Sequence, residues 1–151
     1  MTNRSESGNT DSVLERGVLE SRLWHYRGLV LRTVDGDTVD VQLDLGFGHT
    51  TFMPDAPDRP HPLTCRIRFD GVDAPEKKKH TLVAGREAQA ALDAWVEAQV
   101  QAWHQDRWPF IVRTGFSRHL ERWVGEVFSR ASGVSASDWL VRSGHAVRVG
   151  S

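Results

Sequence analysis

The sequence predicts an α+β protein in which strands dominate, and three observations predict it. Apolar and polar residues alternate in several short runs, a period of two that turns one face of a strand toward a core. One stretch, 84–103, changes to a period near 3.6, as an amphipathic helix requires. Asp-Gly, Gly and Pro punctuate the runs at short intervals, leaving little room for long regular elements.

Residues 1–12 are polar and rich in Gly, Ser and Asn, and disorder is expected there. Residues 13–24 place Val13, Leu14, Val18, Leu19 and Leu23 near helical spacing, interrupted by Gly17. The region 1–24 therefore reads as a disordered or weakly helical extension, and 25–151 as the folded domain. "GLVLRTV" (28–34) reads as a buried strand. "DGDT" (35–38) reads as a tight turn whose glycine tolerates the positive φ of a hairpin. The next strand alternates strictly, with Val39, Val41, Leu43 and Leu45 on one face and Thr38, Asp40, Gln42 and Asp44 on the other.

Residues 46–62 are rich in Gly and Pro, which argues against a continuous strand and leaves only a brief pairing near 50–53. A third strand is expected over 64–71. In the helix, Ala84, Ala88, Ala91, Leu92 and Trp95 form one stripe, with Glu87, Gln89 and Asp93 opposite. Strands follow at 108–114 and 122–129. Residues 135–144 read as a short helix, with Ser135 and Asp138 approximating a capping box and Gly144 as the C-terminal cap. Five short strands, a helix between the third and fourth and a short helix after the fifth match an OB-type Greek-key barrel. Such barrels bind polyanions across one face.

A chain of 151 residues fits one domain with a modest core. Its net charge of -1 does not advertise a polyanion partner, so any nucleic-acid contact must come from a local patch. The single cysteine, Cys65, excludes an intrachain disulfide and a Cys-rich zinc site, and reads as a buried structural thiol. No run approaches the ~20 apolar residues that a membrane span needs. No apolar segment of a secretory signal follows Met1. The expectation is a cytoplasmic monomer with no membrane contact. The histidines show no ligand spacing. Trp95, Trp123 and Trp139 sit at periodic apolar positions and read as core residues, whereas Trp24, Trp103 and Trp108 are not placed by the pattern.

Chemistry concentrates around two turns. Asp35 and Asp37 flank the first hairpin, and Asp70, Asp73 and Glu76 follow the third strand. Clustered carboxylates repel unless a cation or basic partner joins them. An oxygen-only set without His or Cys favours a hard cation, Ca²⁺ or Mg²⁺. A loop starting at Asp35 is no EF-hand, because Asp40 and Gly46 stand where Gly and Glu belong. Arg68 lies on the strand face opposite Ile67 and Phe69, and Arg122 opens a later strand. An arginine fork holds phosphate bidentately. Lys77, Lys78 and Lys79 form a basic loop after Glu76 that could guide a nucleic-acid backbone. Each group alone has a plainer reading: turn-forming aspartates, surface-strand arginines, a solvated lysine run.

Taken together, "TVDGDTVDV" (33–41), "CRIRFDGVDAPE" (65–76), "GREAQAAL" (85–92), "ERWVGEVF" (121–128) and "SDWLVRSGHA" (137–146) resemble the thermonuclease family, the staphylococcal nuclease-like OB-fold nucleases. The pieces fall in family order and cover roughly residues 28–149. The resemblance implies Asp37, Asp73 and the main-chain oxygen of Ala74 as Ca²⁺ ligands, with Mg²⁺ as a substitute and Asp35 supporting the metal from the second shell. It implies Glu76 as general base, Arg68 and Arg122 as phosphate and transition-state binders, and DNA, RNA or both as substrate. Ala74 replaces a frequent threonine, which a main-chain ligand tolerates. Residues 118–121, "RHLE", lack the tyrosine that the family often packs on its substrate. Two further readings stay open: a non-catalytic OB module that binds nucleic acid or protein, and a Mg²⁺-dependent phosphodiesterase on another barrel.

Overall fold

The computed structural model describes residues 15–46, 50–53, 56–118, 120 and 122–149. The segment expected to be disordered, 1–12, lies outside them. The chain forms α1 (Arg16–Ser21), β1 (His25–Asp35), β2 (Thr38–Leu43), β3 (Thr50–Met53), β4 (Ala56–Phe69), β5 (Val72–Asp73), α2 (Leu82–Ala102), β6 (Phe110–Ser117), β7 (Arg122–Ser129), α3 (Ala136–Arg142) and β8 (Val147–Arg148).

Five of these strands close into a mixed barrel of the OB type. β1 pairs with β2, β2 with β4, β4 with β7, β7 with β6 and β6 with β1. Every pairing is antiparallel except β4 with β7, which is parallel and spans only Arg68↔Val124 and Phe69↔Gly125. The alternation seen in the sequence fills the interior: Val39, Val41, Leu43, Ile67, Phe69, Phe110, Val112 and Val127 are buried. Leu92 and Trp95 of α2 and Leu140 of α3 complete this core. Each such aliphatic side chain contributes roughly 1.5–3 kcal/mol on burial.

The helices follow their sequence signals. Ser135 caps α3 by accepting the Asp138 N–H at 3.1 Å, and Gly144 takes φ +81° after its last turn. α1 is short and buries no residue. The turn after it places Trp24 at φ +62°.

Several expectations are corrected. β4 runs unbroken through the proline-rich segment as far back as Ala56. Its 56–62 portion pairs only with β3, so prolines there remove no ladder bond on a second side. β1 is not a buried strand: only Gly28 is buried and Leu31 is 50% exposed. Polar groups of α2 face β1, with Gln89 donating to the Thr33 carbonyl at 3.1 Å and Asp93 accepting from the Thr33 hydroxyl at 3.2 Å. The buried stripe of α2 is accordingly Gly85, Ala88, Leu92, Trp95 and Val96, and Ala84 is exposed. Asp44, assigned to the polar face, is buried and accepts from Arg27 Nε at 2.8 Å. Among the tryptophans, Trp108 is the most buried at 1% exposure, whereas Trp123 is 52% exposed. Burial in β7 begins only at Gly125, where β4 joins it, and Trp123 precedes that point.

Candidate active site

The β1–β2 hairpin pairs Asp35 with Thr38 and leaves Gly36 and Asp37 at its tip. Gly36 does not adopt the positive φ expected of it. It is small for another reason: a Cβ there would lie 2.7 Å from the Ala88 Cβ and 2.9 Å from that of Ala74. The tip is wedged between α2 and the turn after β4. Hydrogen bonds fix it in place. The Asp37 carbonyl accepts the Phe69 N–H at 2.8 Å, and Asp37 Oδ2 accepts the Ala74 N–H at 3.1 Å. Asp37 Oδ1 accepts from the Thr38 hydroxyl at 3.0 Å.

β4 delivers the second half. Arg68 alternates with the buried Ile67 and Phe69 and so points away from the core. Its Nη2 lies 3.0 Å from Asp73 Oδ1 and 3.7 Å from Asp37 Oδ2. One guanidinium thus sits between two carboxylates that would otherwise repel. β5 holds the Asp73 backbone by pairing it with Val147 of β8. The next turn packs against α2 through Gly85, where a Cβ would meet the Glu76 carbonyl carbon and oxygen at 2.8 Å. The Thr81 hydroxyl also donates to the Glu76 carbonyl.

Asp35, Asp37, Arg68, Asp73, Ala74, Glu76, Lys77, Lys78 and Arg122 all line one cleft of about 320 Å³, together with Thr38 and Pro75. Four acids face four bases there, so the cleft carries no strong net charge of its own. Lys79 does not line it. Asp70 stands apart as well, 3.8 Å from Arg113. The two lysines that do line the cleft have local partners. Lys77 Nζ donates to the Val34 carbonyl at 3.1 Å and lies 3.5 Å from Asp35. Lys78 Nζ is 2.7 Å from Glu76 Oε2. The hydrogen bond and charge of Lys78 hold the Glu76 carboxyl below its ordinary range, and Arg68 and Arg122 add to this. Both ends of that ion pair are well exposed, so it is weak and easily exchanged. Among the described residues Arg122 makes no ion pair.

Among the described residues no three His, Cys, Asp or Glu side chains converge as a ready metal cage. The donors fit a hard cation nonetheless. Asp37 and Asp73 already share one positive charge, and Asp35 lines the same cleft. Oxygen ligands from two carboxylates, a main-chain carbonyl and water suit Ca²⁺ or Mg²⁺.

Sequence reasoning found the charged residues of the cleft and missed the small ones. Gly36, Gly85 and Ala88 position the acidic turns, and only their contacts in space identify them. No family model matches the chain, and no curated protein matches it.

Proposed function

We propose that this cleft hydrolyses phosphodiester bonds of DNA, and of RNA where it is offered, with a divalent cation as cofactor. The carrying observation is that the acids, the two arginines and Glu76, which lie far apart in the sequence, line a single cleft. Asp37, Asp73 and the Ala74 main-chain oxygen would hold Ca²⁺ or Mg²⁺, with Asp35 supporting them. When bound, the cation polarises the phosphoryl oxygen and tips the balanced cleft toward positive charge. Arg68 and Arg122 grip the non-bridging oxygens and stabilise their growing charge. Glu76, kept ionised beside Lys78, accepts the proton of the attacking water. The expected setting is a monomer acting in the cytoplasm. Among the described residues no helix is long and apolar enough to cross a membrane.

The test is digestion of plasmid and single-stranded substrates with Ca²⁺, Mg²⁺ or chelator. Cutting should require the metal. Glu76→Gln or Arg68→Ala should each lower kcat by on the order of a hundredfold or more. Wild-type protein that cuts no better than a variant carrying both Glu76→Gln and Arg68→Ala would sink the hydrolytic reading. One observation favours the second reading, a binding module without catalysis: Arg68 and Glu76 already have partners in Asp73 and Lys78. Metal-independent binding with no cleavage would establish it.

A further inference from the structure

The cleft is the end of a longer trough. It shares Thr38, Arg68 and Arg122 with a second hollow of about 620 Å³, which also touches Arg66 and Trp123. That hollow shares Thr64, Cys65 and Trp123 with a third, of about 350 Å³, which reaches Trp24 and Tyr26. The cause is the short parallel seam. β4 and β7 pair only at Arg68↔Val124 and Phe69↔Gly125, and on the N-terminal side of those residues no ladder joins them. The barrel wall parts there.

The chemistry changes along the trough. Next to the cleft it is cationic, with Arg122 and Arg66. Arg66 shares the single carboxylate of Asp40 with Arg32, so that cluster keeps a net positive charge. Farther on it is aromatic, and the aromatic groups are presented to solvent. Trp123 is 52% exposed and Trp24 63% exposed. Phe116, opposite Trp123 on β6, packs edge-on against it at 5.1 Å between ring centroids and limits its motion. Trp24 takes a left-handed φ of +62°, strained for a bulky residue, and its carbonyl accepts the Thr114 N–H at 3.0 Å. The left-handed turn leaves the indole outside the core, where it lines the third hollow.

We infer that the trough holds unpaired nucleotides flanking the scissile phosphate, with their backbone on Arg122 and Arg66 and their bases stacked on Trp123 and Trp24. The inference rests on the hydrolytic reading and names its substrate class, a single strand. Base faces stack on indoles without regard to sequence, whereas a duplex keeps its base faces covered. An apolar peptide would match the indoles and leave Arg122 and the net positive charge of the Arg66 cluster unanswered.

The test uses fluorescein-labelled oligo(dT) and a DNA hairpin of equal length, titrated in chelator so that nothing is cut. The single strand should bind more tightly than the hairpin and quench tryptophan fluorescence. Trp123→Ala and Trp24→Ala should each weaken single-strand binding about tenfold. Trp123→Phe should recover most of that loss. Leu31→Ala, a change to a 50% exposed residue outside the trough, should bind like wild type. Thermal melts establish that each variant is folded. Alanine variants that bind as wild type does, a Phe variant no better than Ala, or tighter binding of the hairpin would overturn the inference. Metal-dependent cutting of the same strand by wild type is scored separately. Tryptophan-dependent binding without cutting removes the hydrolytic reading and keeps the trough; cutting with tryptophan-independent binding removes the trough alone.

Discussion

Glu126 shows how much one buried carboxylate can carry. It sits in β7 at 8% exposure, and its Oε1 accepts the N–H of Val127 at 3.0 Å and of Ser137 at 3.2 Å. Ser137 belongs to the first turn of α3, whose N–H groups have no partner within the helix. Burial raises the pKa of Glu126, and the two N–H donors only partly oppose it. A carboxyl whose folded pKa exceeds its unfolded value favours folding while protonated. That contribution is present below the ordinary carboxylate range and is lost as pH rises through the folded pKa. Glu126→Gln keeps the accepting oxygen and removes the charge. Its melting temperature relative to wild type should therefore climb as pH rises above the ordinary carboxylate range. Glu126→Ala removes the acceptor, strands the Ser137 N–H and should cost on the order of 1–3 kcal/mol at low pH, and less as pH rises and wild type loses its own contribution, measured by urea denaturation. Nothing in the sequence marks Glu126. It reads as one more polar residue in an alternating strand, because its helix partner is brought to it only by the fold.

At the scale of elements, α2 is a ruler for the acidic turns. Ala88 bears on the hairpin tip at Gly36, and Gly85 bears on the peptide after Glu76. A methyl at position 85 would press on main-chain atoms, which cannot swing aside as a flexible side chain does. Gly85→Ala should cost about 1–3 kcal/mol in stability. By displacing the peptide of Glu76, the proposed general base, it should also lower kcat by on the order of a hundredfold while leaving single-strand binding in chelator near wild type. A stability loss with full kcat would show that Glu76 is not held by this contact. Element type was legible where a period was long: the helix over 84–103, the strict alternation through Val39 and Leu43, the capped helix after Ser135. Its phase was less so. Glu87, Gln89 and Asp93 read as one solvated face, yet β1 offers the Thr33 carbonyl and hydroxyl, and two of the three turn toward it. Prolines at 57, 60 and 62 read as breakers because the sequence does not reveal that this part of β4 pairs on one side only.

At the scale of the molecule, the barrel and its helices were legible because order and spacing of elements leave few ways to close a small sheet. The charged half of the candidate site was legible because its residues cluster on two turns. The trough was not, since it is made by what strands fail to do beyond their pairing, and an exposed Trp123 looks in sequence like a buried one. The parallel seam that opens the trough also has a history in time. Local hairpins such as β1 with β2 and β6 with β7 join neighbours along the chain, whereas β4 must find β7 across the whole of α2 and β6. Loop closure over that distance costs entropy and returns only two paired positions at the seam. In pulse-labelled refolding, the amide of Asp70, which donates to the Gly125 carbonyl at 2.9 Å, should gain protection after those of β6 and β7. Arg68 lies in that seam and Arg122 two residues before it, so the two arginines proposed to bind phosphate come to line one cleft only once folding is nearly complete. A chain caught halfway would carry a formed hairpin and a formed helix, but not yet the cleft to which we assign hydrolysis.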